Sequence, residues 1–123
     1  MPDDVELLRR VYALFNGREI ESVLAAMHPD VVWANGMEGG HIQGRDEVRS
    51  YWKRQWAIID PHVEPVEMSP NGKGEVVVKV HRVVRDLKCN LLADRLVIHA
   101  FQMRSGLIQR FDIRDVDQSG KEK

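Results

Sequence analysis

The sequence predicts an α+β domain in which three helices pack on one face of a curved antiparallel sheet. In the part of the chain up to Ile59, apolar residues recur every three to four positions, which is typical of amphipathic helices. From Val63 onward, strand-like runs alternate with short turn-forming separators, which is typical of antiparallel hairpins. Helices followed by a run of hairpins favour helices packed against one face of a sheet.

The three predicted helices end at residues that stop a helix. The first is followed by Asn16-Gly17, Pro29 limits the second, and Asp60-Pro61 stops the third. In the third helix, Val48, Trp52 and Trp56 recur every four residues. The predicted bounds are 4–16, 18–27 and 45–59, with a short strand at 31–33.

Four predicted strands follow, and turn-forming residues separate them. The strands are expected at 63–68, 75–85, 91–104 and 107–116. The separators are Pro70-Asn71-Gly72, residues 86–90 and Ser105-Gly106. The short separators predict a four-stranded meander. Residues 1–118 are expected to form one domain, and 119–123 a disordered charged tail.

Composition excludes several classes of function. Lysine and arginine number 18 against 19 acidic residues, so the chain lacks the basic surface that nucleic acid requires. No apolar run is long enough to span a bilayer, so no membrane partner is expected. The single cysteine, Cys89, excludes an intramolecular disulfide and favours a cytoplasmic location.

Alternation along the last two strands predicts which side chains face inward. Arg110, Asp112 and Arg114 suit a solvent-exposed face, so the odd-numbered positions of both strands are expected to face the interior. The inward set is Arg95, Val97, His99, Phe101 and Met103 in one strand, and Leu107, Gln109, Phe111, Ile113 and Asp115 in the other.

The element order is similar to that of a known superfamily. With G-R-D-E-V opening the third helix and F-Q-M-R-S-G-L-I-Q-R-F-D closing the sheet, residues 5–117 resemble the nuclear transport factor 2-like superfamily. Within it the chain looks like the SnoaL-like and ketosteroid isomerase-like branch. The resemblance implies a cone-shaped α+β barrel with a deep pocket between helices and sheet. It also implies a homodimer formed through the outer sheet face. Isomerases, epoxide hydrolases, cyclases, dehydratases and binding modules share this fold.

Alignment with ketosteroid isomerases places different residues at the key positions. Asn35 falls where those enzymes carry their general-base Asp, and a neutral amide cannot be that base. His99 falls on the protonated Asp of the oxyanion hole. The isomerase Tyr would fall near Val11, one residue from Tyr12. A strict ketosteroid isomerase mechanism is therefore not expected.

Limonene epoxide hydrolases offer a second template. Trp33-Ala34-Asn35 is similar to their aromatic-x-Asn motif, in which Asn positions the water. Their last Asp would align near Ile113, and their middle-strand Arg-x-Asp pair is absent because Arg82 is followed by Val84. These departures weaken the prediction that the chain catalyses the epoxide hydrolase reaction.

Three residues form the predicted catalytic group. In this hypothesis His99 moves protons, and Asp115 orients the ring and raises its pKa. Asn35 donates to a substrate carbonyl or positions a water. Each residue also has a structural interpretation: His99 as a core residue, Asp115 as a rim charge, and Asn35 with Gly36 as a turn pair.

The predicted substrate-binding residues are mainly aromatic. Trp52 aligns with a pocket-lining aromatic of the family and could stack on a flat apolar ligand, although the tryptophans also suit a core. The predicted set is Tyr12, Trp33, Trp52, His81, Arg95, Val97, Phe101 and Phe111. The histidine spacing suits no metal, and no cofactor motif is present.

Three classes of function stay open. The first, favoured by the family's use of these positions, is a cofactor-independent acid/base enzyme: an isomerase, dehydratase, cyclase or epoxide hydrolase. Its substrate would be a small apolar molecule. The second is a non-catalytic binding module, and the third is a dimeric accessory protein whose pocket is vestigial.

Overall fold

A computed structural model describes residues 2–35 and 39–115 of the chain. The helices are Pro2–Asn16 (α1), Ile20–Leu24 (α2) and Arg45–Trp56 (α3). The strands are Met27–Ala34 (β1), His41–Gln43 (β2), Ile59–Pro70 (β3), Glu75–Asp86 (β4), Leu91–Arg104 (β5) and Leu107–Asp115 (β6). Within this part of the chain, no helix has the length and apolar character needed to cross a membrane. The predicted tail, 119–123, lies outside the described residues.

The six strands form one curved sheet in the order β2-β1-β6-β5-β4-β3. The predicted α+β class, with three helices packed on a curved sheet, is confirmed. The meander from β3 to β6 is antiparallel throughout. The complete sheet is mixed, because β1 pairs with β6 in parallel and with the short β2 in antiparallel orientation.

Two predicted boundaries shift where a helix meets a strand. α2 ends at Leu24 because Met27 already belongs to β1, where it pairs with Ile108. α3 ends at Trp56, and β3 continues through Pro61, which the sequence predicted as a stop. Proline lacks a backbone N–H, so it is tolerated best in an edge strand, and β3 is the edge of this sheet.

In β5 the prediction of inward residues holds from Val97 to Phe101, whereas Arg95 is exposed, and β6 departs from the prediction. Val97, His99 and Phe101 are buried, as their odd positions predict. In β6 the even-numbered Ile108 is fully buried, which corrects its predicted outward orientation. The cause is an irregular register: Gln102 pairs with Arg110 and Met103 with Ile108. The extra residue, Gln109, reverses the alternation, so odd positions face inward only beyond it.

The end of α1 is joined to the edge strand by one side chain. The amide of Asn16 donates to the carbonyl oxygen of Val63 at 2.8 Å and accepts from the Val63 N–H at 3.0 Å. These two bonds satisfy both backbone groups of an edge residue. They hold α1 over β3, so that Leu8, Val11 and Tyr12 lie buried against the sheet.

Candidate functional site

An apolar cavity lies between the helices and the concave face of the sheet. Its volume is about 90 Å³, counting the space open to the centre of a water molecule. One water needs roughly 10–15 Å³ by that measure, so several waters or a small organic molecule fit. Its lining residues are Val11, Tyr12, Phe15, Val23, Trp33, Ala34, Tyr51, Trp52, Gln55, Pro61, Val63, Arg82, His99, Phe101, Phe111 and Ile113. This space is called the inner cavity below.

Aromatic rings form much of the cavity wall. Trp33, at the end of β1, stacks on Phe111 of β6 with ring centroids 4.1 Å apart. Trp52 of α3 meets Trp33 edge-on at 5.4 Å. Phe101 packs on Phe111 at 5.1 Å. These four predicted substrate-binding residues therefore lie together in one aromatic cluster.

Tyr12 and His99 form a buried polar pair in this wall. The Tyr12 hydroxyl and His99 Nδ1 lie 2.7 Å apart, within hydrogen-bond distance. Only 4% of Tyr12 and 6% of His99 are exposed. The periodicity of α1 directs Tyr12 toward the sheet, and the alternation of β5 directs His99 toward the helix. Sequence alignment placed the isomerase Tyr near Val11, so the direct contact of Tyr12 with His99 emerges only from the structure.

Burial keeps both members of the pair neutral. It lowers the pKa of His99 from 6.5 to about 3, with a smaller contribution from the positive charge of Arg82. It raises the pKa of Tyr12 well above its usual value. The expectation that the pKa of His99 is raised is therefore wrong in sign, because the cost of burying an imidazolium dominates. At neutral pH His99 is a hydrogen-bonding ring and a weak base.

The other two predicted catalytic residues are placed differently. Asn35 is buried at the end of β1, with its N–H donating to Gly40 and its carbonyl accepting from Gly39, both at 2.9 Å. It lines an adjoining cavity, which shares Ala34, Arg82 and Ile113 with the inner one. Asn35 and His99 therefore line neighbouring spaces.

Asp115 is described by its backbone alone. It lies opposite Val97 in the β5–β6 register, whereas His99 lies opposite Ile113. The Asp115 side chain, and with it the proposed orientation of His99 by a carboxylate, lies outside the described part of the structure. Gly36, the predicted turn partner of Asn35, also lies outside it.

His81, Arg95 and Val97 lie apart from the inner cavity wall. Val97 lines the adjoining cavity. Arg95 pairs in register with Arg82 and is exposed. His81 is exposed on the outer face of the sheet, where its Nε2 lies 2.6 Å from an Asp94 carboxylate oxygen. Its predicted place at the pocket is corrected, because the β4 register assigns the even positions, such as Val80 and Arg82, to the interior.

Sequence reasoning missed three polar residues of the inner cavity. Arg82 enters it from β4, and Tyr51 and Gln55 enter it from successive turns of α3. Gln55 Nε2 donates to the Tyr51 hydroxyl oxygen at 3.1 Å. Their spacing of four residues indicates a shared helix face. Arg82 also occupies an even-numbered position of β4, like the buried valines of that strand. Alternation along β4 could therefore have predicted that Arg82 faces inward.

Over the described residues, no group of three or more His, Cys, Asp or Glu side chains is arranged to hold a metal ion. The polar side chains among the described residues that line the inner cavity are Tyr12, His99, Tyr51, Gln55 and Arg82.

The fold, with a pocket between its helices and its curved sheet, is that of the nuclear transport factor 2-like class. Residues 8–115 match the model of the SnoaL-like domain, so the chain belongs to that family. The sequence has no significant match among curated proteins.

Solved structures agree with this assignment. A nuclear transport factor 2-like protein of unknown function from Burkholderia pseudomallei is 26% identical with a TM-score of 0.83, and the match covers 99% of this chain and 97% of that one. TerC, co-crystallised with polyporic acid, is 28% identical with a TM-score of 0.81 over 98% and 96% of the two chains. A candidate polyketide cyclase from Xanthomonas campestris pv. campestris shares the fold at 20% identity, with a TM-score of 0.76 over 96% and 93%.

Proposed function

We propose that this protein binds a small, flat, mainly apolar molecule in the inner cavity and acts on it by acid/base chemistry without a cofactor. The observation that supports this proposal is the buried 2.7 Å contact between Tyr12 and His99 in a wall of aromatic rings. An apolar pocket with a few converging polar groups is the usual form of a small-molecule site. TerC, whose crystals contain polyporic acid, is a relative consistent with a small organic ligand.

The pair supplies one hydrogen-bond donor in either tautomer of His99. If Nδ1 carries the proton, it donates to the Tyr12 oxygen, and the Tyr12 O–H is a further donor. If Nε2 carries it, the Tyr12 hydroxyl donates to Nδ1, and His99 Nε2–H is the further donor. Both residues line the inner cavity. One proton beyond the shared bond is thus present for a ligand oxygen.

A donor of this kind promotes reactions that develop negative charge on a carbonyl oxygen. Stabilising an enolate makes the neighbouring C–H more acidic, so that a weak base suffices to remove the proton. Isomerisation, dehydration and cyclisation all use such a step. In this proposal His99 acts as a neutral hydrogen-bonding group, and the proton that leaves the carbon passes to a water that Asn35 orients from the adjoining cavity.

The test is hydrogen–deuterium exchange of 2-tetralone, a neutral bicyclic ketone, followed by NMR in D₂O. We expect the protein to accelerate exchange at the α-carbon over buffer alone. Tyr12→Phe and His99→Leu should each slow the catalysed exchange about 100-fold, the usual effect of removing one oxyanion donor. His62→Leu, which removes an exposed histidine of β3, is the matched control and should retain exchange. Exchange at the buffer rate would contradict the catalytic proposal.

A second candidate, a non-catalytic binding module, also has a specific observation in its favour. Among the described residues that line the inner cavity, none is a carboxylate, and the lowered pKa of His99 makes it a weak base. If 2-tetralone binds, as quenching of tryptophan fluorescence would report, and its α-protons do not exchange faster than in buffer, the binding module is the correct function.

A further inference from the structure

Arg82 is the one charged residue among the described residues that line the inner cavity. Its guanidinium enters from the central part of β4 and is partly buried. It also lines the adjoining cavity. A charge placed in such an apolar surrounding is costly unless a group of opposite sign accompanies it.

The described residues provide no such group. No described carboxylate lines the inner cavity beside Arg82, and Asp112, which lines the adjoining cavity with Arg82, is paired with His41 and Arg110 instead. Two residues further along β4, Val84 is buried and apolar. Among the described residues, Arg82 therefore lies on the concave face without the acidic partner that a buried arginine usually has.

The groups next to Arg82 are also hydrogen-bond donors. Tyr51 lies close enough to influence the pKa of Arg82, and Gln55 donates to the Tyr51 hydroxyl oxygen. Burial lowers the pKa of Arg82, yet a guanidinium stays protonated in proteins. This end of the cavity thus carries a positive charge, while most of the remaining wall is apolar.

We propose that Arg82 binds the carboxylate of the ligand, so that the inner cavity accepts flat aromatic acids in preference to neutral molecules of the same shape. A guanidinium can hold a carboxylate through two parallel N–H bonds, which fixes the orientation of the ligand as well as its charge. The aromatic part would then lie against Trp33, Trp52 and Phe111. The inference rests on the proposed function, because it names the class of ligand for the same cavity.

The experiment compares two ligands of equal shape by isothermal titration calorimetry. One is 2-naphthoate and the other is its neutral amide, 2-naphthamide. We expect the protein to bind 2-naphthoate about 10- to 100-fold more tightly, the range for a hydrogen bond to a charged group. Arg82→Met should remove this preference and leave the affinity for 2-naphthamide within about threefold.

Three variants complete the design. Binding of 2-naphthamide to Arg82→Met reports whether the variant is folded, and Arg82→Gln provides a second, polar replacement in case it is not. Arg85→Met is the matched control, because Arg85 lies on the same strand, exposed on the opposite face. It should keep the full preference for 2-naphthoate.

The outcomes separate this inference from the proposed function. Equal affinities of the native protein for the two ligands would overturn the carboxylate assignment and leave an apolar pocket intact. If both Arg82 variants still prefer 2-naphthoate to 2-naphthamide, a group other than Arg82 binds the carboxylate. That result would also overturn the inference. If neither ligand binds, both the inference and the proposed small-molecule pocket fail.

Discussion

His99 and Tyr12 show how burial changes the chemistry of individual side chains. In the sequence, His99 next to strand-like residues suggests a base whose pKa a carboxylate could raise. In the structure, the ring is 6% exposed, faces Tyr12, and has its pKa lowered to about 3. The cost of desolvating an imidazolium exceeds the stabilisation that its neighbours provide. The proposed role of His99 follows from this neutrality.

Stability should therefore depend on pH through His99. In the unfolded chain the ring takes up a proton below about pH 6.5, whereas in the folded chain it does so only near 3. The contribution of His99 is fully present above pH 6.5 and is lost as the pH falls toward 3. The loss is at most about 1.4 kcal/mol per pH unit. Urea unfolding of the native protein and His99→Leu at pH 7.5, 5.5 and 4.5 measures it.

Comparing the native protein with His99→Leu can either support or contradict this prediction. We expect the free energy of unfolding to fall more steeply with acidification in the native protein than in His99→Leu. His62→Leu, measured alongside, shows the effect of losing an exposed histidine. Equal slopes for the native protein and His99→Leu would contradict a neutral, buried His99.

Among the elements, α1 determines the geometry of the site because it supplies Tyr12. Its position depends on packing of Leu8 and Val11 against the sheet and on the two bonds from Asn16 to Val63. β3 is an edge strand, so its backbone groups would otherwise need water or another partner. Asn16, the last residue of α1, therefore also completes the backbone hydrogen bonding of the edge strand β3 at Val63.

Asn16→Ala should destabilise the fold by about 1–3 kcal/mol, because it leaves the Val63 N–H and carbonyl without their partner. Asn16→Asp keeps the acceptor but turns a carboxylate oxygen toward the Val63 carbonyl oxygen in place of the donor, so it should destabilise the fold at least as much as alanine. Urea unfolding monitored by tryptophan fluorescence gives both values. An ordinary surface substitution changes the free energy of unfolding by roughly 0.5 kcal/mol or less. If Asn16→Ala changes it by no more than that, the two bonds from Asn16 to Val63 do not hold α1 in place.

For the whole molecule, the outer face of the sheet is the main surface to explain. Leu96 is 41% exposed there, and Val77, Val83 and Ile98 beside it are half-buried. Register places Leu96 against His81 and Ile98 against Lys79, so the apolar strip has a polar border. We propose that this strip is the interface of a homodimer, as the family resemblance implies.

Sedimentation should then give twice the mass of one chain at micromolar concentration, and Leu96→Asp should shift the protein to the monomer. Leu87→Asp is the matched control. Leu87 is 60% exposed but lies in the turn between β4 and β5, so its substitution should leave the dimer intact. A native protein that sediments as a monomer would rule out the proposed interface.

Local sequence patterns predict most of the helices and strands of the fold. Helix periodicity and turn residues identified three helices and the four long strands, since both signals depend on neighbours close in the chain. The same patterns identified the aromatic wall, because Phe101 and Phe111 occupy the inward positions that alternation predicts. Pairing of β1 with β6 escaped prediction, because parallel partners far apart in sequence leave no turn signal between them.

What the tertiary structure alone decided is the chemistry of the site. Alternation could not foresee the register shift at Gln109, since a bulge depends on the partner strand. Arg82 seemed an ordinary strand residue, and only the packing of β4 between β3 and β5 places it beside Tyr51 at the cavity. The sequence by itself determined the fold class and the apolar lining, because these depend on residue type and period. The contact of Tyr12 with His99, the lowered pKa of His99 and the cationic end of the cavity depend on distances between elements, which only the folded chain sets.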